Sequence, residues 1–357
     1  LDCSLAKSFI RYHLNNTHLN SRGDKMTIQN RLIKYSDLKP CTSAFIDTRS
    51  PGSDQKENFT LIGPGVAENP DQHVHISIPH GFNIGGARQP SGCLNSQHSH
   101  LTEEVFVVHK SIWAFLSGVN ADDGKVILNE GDIISIPMDI FRGFENVGDD
   151  IGYLYAVLGS DNPGRVLWTP EVFELAEKYG LVLLEDGSLV DTSLGEVVPK
   201  GKKPMPITSA EQIAKHRIVG SHVMESIVQR KETFEWASNR CLAQFDGVEE
   251  VPLVGPKNAT EDLPASKLNW SHNFVVRGLK IEKGAKVNRH IRYEEEVVFV
   301  HQGEVNINVD GEDIRLTKGD TFTTPIESTR SFENKGSSDC TLYVTRRHDQ
   351  PQAPKFI

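Results

Sequence analysis

The sequence predicts an all-β protein made of two similar β-barrel units in tandem, joined by a short helical linker. Short β-rich runs at residues 74–78, 104–108, 112–116, 126–128 and 133–137 are bounded by Gly, Asp and Asn. Short strands separated by turn residues are typical of an antiparallel sandwich or barrel. An internal repeat indicates that this unit occurs twice.

The repeat rests on two stretches that have the same spacing. The first copy is Gly92-x5-His98-x-His100-x3-Glu104. The second copy follows 192 residues later as Gly284-x5-His290-x-Arg292-x3-Glu296. A downstream block recurs at an offset of 188 residues, with Gly131, Asp132, Pro137, Arg142 and Asn146 matched by Gly319, Asp320, Pro325, Arg330 and Asn334. A longer turn at residues 120–124 of the first copy accounts for the difference.

On these motifs the chain resembles a bicupin of the cupin superfamily over most of residues 70–350. The usual motifs are G-x5-H-x-H-x3-E-x6-G and G-x5-P-x-G-x2-H-x3-N. Ser111 replaces the last glycine of the first motif, whereas the second copy keeps it as Gly303. The histidine of the second motif, commonly a fourth metal ligand, is replaced by Arg142 and Arg330. The resemblance implies two jelly-roll-like, double-stranded cupin β-barrels.

Three side chains of the first copy are candidate metal ligands. Side chains of a strand alternate between its faces, so His98, His100 and Glu104 share parity and can point into the barrel together. Two histidines and one carboxylate suit one divalent transition metal, with Fe(II) favoured and Mn, Ni, Co or Zn as alternatives. The second copy lacks the second histidine and is predicted to be metal-free. A vestigial, hydrogen-bonded polar core is the alternative for the first.

The arginines at ligand positions cannot bind a metal, because guanidinium has no free lone pair. Arg142 is the predicted catalytic residue, orienting an anionic group of a substrate. A salt bridge to Glu104 is an equally open alternative. For Arg330 a salt bridge to Glu296 is favoured, and Arg292 is expected to pair with the same carboxylate in place of a lost metal.

Two further pairs of histidines recur in the repeat. His109 and His301 have odd parity relative to the ligands, so they are predicted to point outward and to serve packing or an interface. His80 and His272 are also equivalent. Polar packing is favoured for them over a contact to substrate or to a ligand.

Composition limits the partners. A net charge of −10 and a pI near 5.8 argue against nucleic acid as a partner, because phosphate binding needs clustered Lys and Arg. No apolar run approaches the roughly 18–20 residues that span a bilayer, so no membrane partner is predicted. Five cysteines without C-x-x-C spacing indicate reduced thiols and a cytoplasmic location. The expected partner is a small-molecule substrate, and a homodimer is left open.

The chain is predicted to divide into four segments: an N-terminal extension and arm (1–68), an N-terminal cupin barrel (69–162), a helical linker (163–224) and a C-terminal cupin barrel (225–350). Thr169, Pro170 and Gly180 predict a linker helix through an N-cap, a first-turn proline and a glycine exit. Residues 1–25 are assigned no function. The arm that follows contains apolar residues and is expected to pack on a barrel or a partner chain.

The resemblance implies a metal-dependent enzyme, with a dioxygenase-type oxidoreductase as the leading hypothesis. Quercetinase-like and gentisate-dioxygenase-like bicupins are similar at the level of the motifs only. The substrate would be a small organic molecule, either carboxylate-bearing or aromatic. The alternatives are a cupin lyase or isomerase and a non-catalytic small-molecule binder whose metal sites have decayed.

Overall fold

The computed structural model describes residues 27–238, 240–256 and 264–357. These residues form two β domains of similar topology, joined by a linker with short helices, which confirms the predicted all-β class. Each domain consists of two facing sheets in a jelly-roll-like sandwich. Within the described residues, no strand pairing joins the two sheets of one domain into a closed cylinder. Residues 1–25, which were assigned no function, lie outside the described ranges.

The strands are short and mostly antiparallel. Those of the arm and first domain are β1 Leu32–Ile33, β2 Glu57–Ile62, β3 Val74–Ile76, β4 Phe82–Gln89, β5 Leu94–Ser99, β6 Glu104–Lys110, β7 Trp113–Ser117, β8 Gly124–Leu128, β9 Ile133–Ile136, β10 Arg142–Asn146, β11 Gly152–Gly159 and β12 Leu167–Trp168. Those of the segment between the two domains, which is called the linker from here on, are β13 Leu181–Leu183, β14 Leu189–Asp191 and β15 Val228–Gln229. Those of the second domain are β16 Val248–Val254, β17 Phe274–Ile281, β18 Lys286–Ile291, β19 Glu296–Gln302, β20 Glu304–Val309, β21 Glu312–Thr317, β22 Thr321–Thr324, β23 Arg330–Glu333, β24 Cys340–Arg347 and β25 Lys355–Phe356.

The helices lie in the linker, as predicted. They are α1 Pro170–Lys178, α2 Ala210–Ile213 and α3 Ser221–Ser226. Short 3-10 helices occupy Ile28–Arg31, Tyr35–Asp37, Ile46–Arg49, Thr192–Leu194, Lys231–Thr233 and Cys241–Gln244. Helix α1 has Thr169 at its N-cap and proline in its first turn. No helix in the described part of the chain is long and apolar enough to cross a membrane.

Each domain packs a larger sheet against a smaller one. In the first domain the strand orders are β15-β9-β6-β11-β4-β2-β3 and β12-β5-β10-β7-β8. In the second they are β1-β22-β19-β24-β17-β16 and β21-β20-β23-β18-β25. Apolar side chains fill the space between the sheets, led by Phe106, Phe115 and Phe144 in the first domain and Phe322 and Phe332 in the second.

The two larger sheets also pack against each other through their outer faces. One apolar cluster contains Val105 and Tyr155 of the first domain together with Val297 and Phe299 of the second. The rings of Tyr155 and Phe299 stack with their centroids 4.2 Å apart. The outer face of each larger sheet is therefore buried by its counterpart in the other domain.

Each domain also receives one strand from the segment that precedes the other. Strand β1 of the arm pairs with β22 of the second domain, and β15 of the linker pairs with β9 of the first. These additions cover sheet edges that would otherwise expose unpaired backbone groups. The expectation that the arm packs on a barrel is thus met, and its residues 57–62 form β2, a strand inside the first domain's sheet.

Two histidines outside the metal motif, His80 and His272, form hydrogen bonds across the domain interface. His80 Nδ1–H donates to the Ile78 carbonyl, so its Nε2 accepts from Thr323 Oγ1 at 2.5 Å. His272 makes the matching hydrogen bond with Ser135 Oγ at 2.6 Å. Ser135 and Thr323 are themselves equivalent at the offset of 188 residues. Polar packing, the favoured alternative for these two histidines, is therefore what the structure shows.

His109 and His301 meet at the centre of the same interface. Their Nδ1 atoms lie 3.3 Å apart, and both side chains are buried. They point away from the interiors of their own domains, as their parity predicts. Because each belongs to the same position of the repeat, their contact marks a local two-fold relation between the domains.

Candidate metal centre

The site of the first copy lies at the end of β5. Gly92 and its equivalent Gly284 both have positive φ, 74° and 80°, in the turn that precedes the strand. A Cβ at either position would have no described atom within 4 Å, so the backbone conformation rather than space favours glycine there. Strand β5 then pairs His98 with Arg142 on one side and with Trp168 on the other.

His98, His100 and Glu104 converge in the folded chain. One candidate donor atom from each lies within 4.8 Å of the others, and all three side chains are buried. His98 Nδ1–H donates to the Ser96 carbonyl at 2.7 Å, which leaves the lone pair of Nε2 for a metal. Among the described residues, His100 Nδ1 is buried without a hydrogen-bond partner. These residues fit a divalent cation as their missing partner.

The protonation states also suit metal binding. Burial, together with the positive charge of Arg142, holds the pKa of His98 and of His100 well below the usual value. Both imidazoles are therefore neutral at pH 7, the form that binds a metal. Burial raises the pKa of Glu104, and this effect exceeds the opposing effect of Arg142.

Arg142 forms the salt bridge with Glu104 that the sequence analysis left open as an alternative. Its guanidinium donates to Glu104 Oε2 and, at 3.3 Å, to the His98 carbonyl. His100 Nε2 lies 3.5 Å from the same carboxylate oxygen. Arg142 is 1% exposed and does not line the adjoining cavity. Its position supports holding the carboxylate, and does not support the predicted contact with an anionic substrate.

The second copy has the same backbone arrangement with different chemistry. Arg330 pairs in register with His290, as Arg142 does with His98. Arg330 Nη1 lies 3.0 Å from Glu296 Oε1, and Arg292 Nε lies 3.6 Å from Glu296 Oε2. Burial alone would raise the pKa of Glu296, but Arg330 and Arg292 overcome it and lower the pKa to about 2. The carboxylate already has two cations beside it, as expected for the position of a lost metal.

A cavity that opens to solvent adjoins the three candidate ligands, with about 670 Å³ of empty space when its open mouth is included. The rings of Phe45, Phe59, Phe106, Phe144 and Trp168 form much of its wall. The loop at residues 65–67 lies at the same cavity. The arrangement therefore places candidate metal ligands beside a mostly apolar chamber that can admit a small organic molecule.

Trp168 supports the site and was missed by the sequence analysis. Its ring centroid lies 5.2 Å from that of His98, and its Nε1 donates to Glu68 Oε1 at 2.6 Å. Glu68 Oε2 accepts from the Ile46 amide at 2.8 Å. Trp168 thus links a candidate ligand to the loop beside the cavity. Only its place next to a helix N-cap stood out in the sequence, and strand pairing across 70 residues was needed to find its role.

Ser111, which replaces a motif glycine, has a strained backbone conformation. Its φ is 75°, the same as that of the equivalent Gly303. A left-handed conformation is strained for serine and free for glycine. Ser111 Oγ donates to Asn146 Oδ1 at 2.9 Å, a contact that glycine cannot make.

Comparisons with known proteins agree with this fold. Residues 279–346 match the family model described as "Cupin domain". A crystal structure of Lactobacillus farciminis oxalate decarboxylase, a formate complex, aligns at a TM-score of 0.57 and 12% identity, covering 94% of this chain and 90% of that one. A deletion mutant of Bacillus subtilis oxalate decarboxylase aligns at a TM-score of 0.55 and 12% identity, covering 92% and 80%.

Another structure of the Bacillus subtilis enzyme comes from work on its Mn(II) centers. It aligns at a TM-score of 0.55 and 13% identity, covering 94% of this chain and 81% of that one. At these identities the similarity establishes a shared two-domain fold. A comparison with curated protein sequences gives no match.

Proposed function

We propose that this chain, a bicupin by its fold and by the cupin match of its second domain, is a metal-dependent enzyme. Its first domain would hold one divalent metal through His98, His100 and Glu104. The observation that carries the proposal is the convergence of three buried candidate donors beside a cavity of about 670 Å³. The second domain would hold no metal, because Arg292 and Arg330 already neutralise Glu296.

For the reaction class we favour a dioxygenase-type oxidoreductase that acts on a small organic substrate. A metal at this site would supply Lewis-acid and redox chemistry to a substrate and dioxygen together. The chain itself fixes the donors: the Ser96 carbonyl orients His98, and Arg142 holds the carboxylate of Glu104. The aromatic walls would reduce the contact of a bound substrate with water. Arg142 is thus assigned as a positioning residue.

The donor set suits Fe(II), and the same set binds Mn²⁺. The structural relative with Mn(II) centers makes Mn²⁺ the direct competitor to the Fe(II) that the sequence favoured. Protein purified without chelator should contain metal, and elemental analysis identifies it. Apoprotein should then be reconstituted anaerobically with Fe(II) or Mn²⁺ separately, with Zn²⁺ as the redox-inert control.

Oxygen consumption tests the reaction class. The reconstituted protein, incubated with catechols, gentisate and flavonols as probe substrates, should consume dioxygen with the Fe(II) or Mn²⁺ form and not with the Zn²⁺ form. Carbon dioxide release from gentisate, the probe that carries a carboxylate, without oxygen consumption would reject the dioxygenase and favour a decarboxylating lyase, the reaction named for the oxalate decarboxylase relatives.

The second candidate is a non-catalytic small-molecule binder with a decayed metal site. The salt bridge between Arg142 and Glu104 favours it, because the guanidinium competes with a metal for the carboxylate. The two candidates differ in metal content. Metal near zero after reconstitution, in protein that still binds a small molecule, would establish the binder.

A further inference from the structure

Gly85 leaves part of the room for the cavity, together with other small lining residues such as Ala87 and Ala156. Strand pairing aligns Phe106, Ala156, Gly85 and Thr60 in one row across the larger sheet of the first domain. Gly85 is partly exposed although its neighbours in β4 are mostly buried. Apart from its chain neighbours, a Cβ built at Gly85 would have one described atom within 4 Å, the Phe59 carbonyl oxygen at 3.3 Å. The φ of Gly85 is not in the left-handed region. Glycine is therefore not required by the backbone there, and its absent side chain provides room.

The second domain contains the equivalent row of residues, but there a side chain occupies the position of Gly85. The equivalents of Phe106, Ala156, Gly85 and Thr60 are Val298, Val344, Arg277 and Pro252, paired in the same order. Arg277 is fully buried, and its Nη1 lies 2.6 Å from Glu250 Oε1. The position that leaves a cavity in one domain thus carries a large cation in the other.

The walls of the first-domain cavity indicate which ligand can enter it. Among the described residues that line it, none is Lys or Arg, and the charged one is Glu104. Neutral polar groups come from Asn58, Thr60 and Asn95. A carboxylate transferred into this chamber would lose its hydration with no cation on the wall to compensate.

Two cations that lie close to the cavity lining are already paired. Lys56 lies behind the wall, with Nζ 5.3 Å from the centroid of Phe45, and it forms a buried ion pair with Asp47. Arg142 is paired with Glu104. Neither is available to an anionic ligand without breaking a buried ion pair, which is costly.

We infer that this cavity takes an uncharged, planar aromatic molecule and that Gly85 is the residue that determines the size of ligand it accepts. Aromatic rings on several walls offer stacked or edge-to-face contacts to such a ligand. The inference deepens the proposed function and rests on it for the catalytic role of the site, whereas ligand binding by the cavity is separately measurable.

The test uses 1-naphthol and 1-naphthoate, which share a ring system and differ in charge at neutral pH. Their dissociation constants are measured by calorimetry with the full chain after metal removal, because a bound divalent metal would itself attract a carboxylate. 1-Naphthol should bind the metal-free chain about tenfold more tightly or better, because no cation on the cavity wall compensates the carboxylate. Equal or tighter binding of 1-naphthoate, or no binding of 1-naphthol, would overturn the inference without any variant.

Gly85→Leu tests the size-determining residue. The variant should lose 1-naphthol binding at least tenfold because leucine occupies the chamber, while metal content stays as in the parent chain. Gly220→Leu is the matched control, because Gly220 does not line the cavity. A Cβ there would lie 3.7 Å from its nearest described neighbour, the Asp123 carbonyl oxygen. A folded Gly85→Leu chain that binds 1-naphthol as the parent does would overturn the role of Gly85.

Metal content separates this inference from the proposed function. A chain that binds 1-naphthol selectively through Gly85 but takes up no metal would refute the enzyme and leave the ligand class standing. A chain that takes up metal but, after metal removal, prefers 1-naphthoate would refute the ligand class and leave the metal centre standing.

Discussion

The two domains have the same fold and the same motif positions, yet they fill their interiors in opposite ways. The first places His98, His100 and Glu104 beside a cavity. The second places Arg292 where the first has its second histidine, and pairs it with Glu296. One scaffold thus supports either a ligand site or a buried salt-bridge network at equivalent positions.

The contrast extends beyond the motif. Leu158 of the first domain corresponds to Arg346, which forms a buried ion pair with Glu294. Gly85 corresponds to Arg277, which pairs with Glu250. A carboxylate that has no metal still needs a counter-ion when it is buried, and arginines meet that need. The second domain thus differs from the first both at a metal-ligand position and in the side chains that fill its interior.

The largest expected effect separates the two copies by metal content. His98→Ala should reduce bound metal from about one equivalent per chain to none, because two donors remain of three. His290→Ala, the matched change in the second domain, should leave metal content unchanged. Elemental analysis of both purified variants is the measurement. Metal lost from a folded His290→Ala chain would show that the second domain also contributes.

Removing the shared carboxylate of the buried salt-bridge network should destabilise the chain far more than removing an exposed ion pair. Glu296→Gln leaves Arg330 and Arg292 buried without their shared carboxylate, so the free energy of unfolding should fall by about 3–5 kcal/mol. Glu333→Gln is the control, because its ion pair with Lys335 is 3.4 Å long and exposed, and should cost less than about 1 kcal/mol. Urea denaturation measures both. Similar losses for the two variants would mean that the buried network contributes little.

Much of this comparison could be predicted from the sequence, because the repeat preserves spacing. The shared parity of His98, His100 and Glu104 predicted that they converge. The structure brings them together differently, because His98 lies in β5 of the smaller sheet, His100 follows that strand, and Glu104 begins β6 of the larger sheet. The salt bridge of Arg330 followed from charge alone. For Arg142 the same reasoning left two alternatives, since a guanidinium at a barrel mouth can face either a ligand or a carboxylate.

Other features depend on contacts that no local pattern encodes. Gly85 has an ordinary strand conformation, so nothing in the sequence marked it as the origin of a cavity. Its role appears only when β4 is aligned with β2 and β11. The role of Trp168 likewise depends on pairing between β12 and β5. The exchange of β1 and β15 between domains requires knowing how the two larger sheets face each other.

The domain interface should make stability depend on pH. Burial lowers the pKa of His80 and of His272 from 6.5 to about 4. Because the folded-state pKa lies below the unfolded value, their stabilising contribution is complete above pH 6.5 and is lost as pH falls through 4. Each histidine accounts for about 3 kcal/mol or less over this window. The pH dependence of the melting temperature measures the effect.

Substitution at these histidines isolates the interface from other acid-labile groups. The double variant His80→Gln and His272→Gln keeps a hydrogen-bonding side chain at each position but removes the titration. Its melting temperature should fall less steeply between pH 6.5 and 4 than that of the parent chain. The exposed His222→Gln change serves as control and should leave the slope unaltered. An unchanged slope in the double variant would contradict the assignment.

The smallest expected effect concerns Ser111 and Gly303, which share a φ of 75°. Ser111→Gly should change the free energy of unfolding by less than about 1 kcal/mol, because relief of backbone strain offsets the lost hydrogen bond to Asn146. Gly303→Ser should destabilise by about 1–3 kcal/mol, because strain returns and a Cβ would lie 2.5 Å from the Asp339 carbonyl oxygen. Urea denaturation of both variants is the measurement. Equal tolerance at the two positions would show that the second domain relaxes its backbone there as readily as the first, and that the contrast between the domains is confined to their interiors.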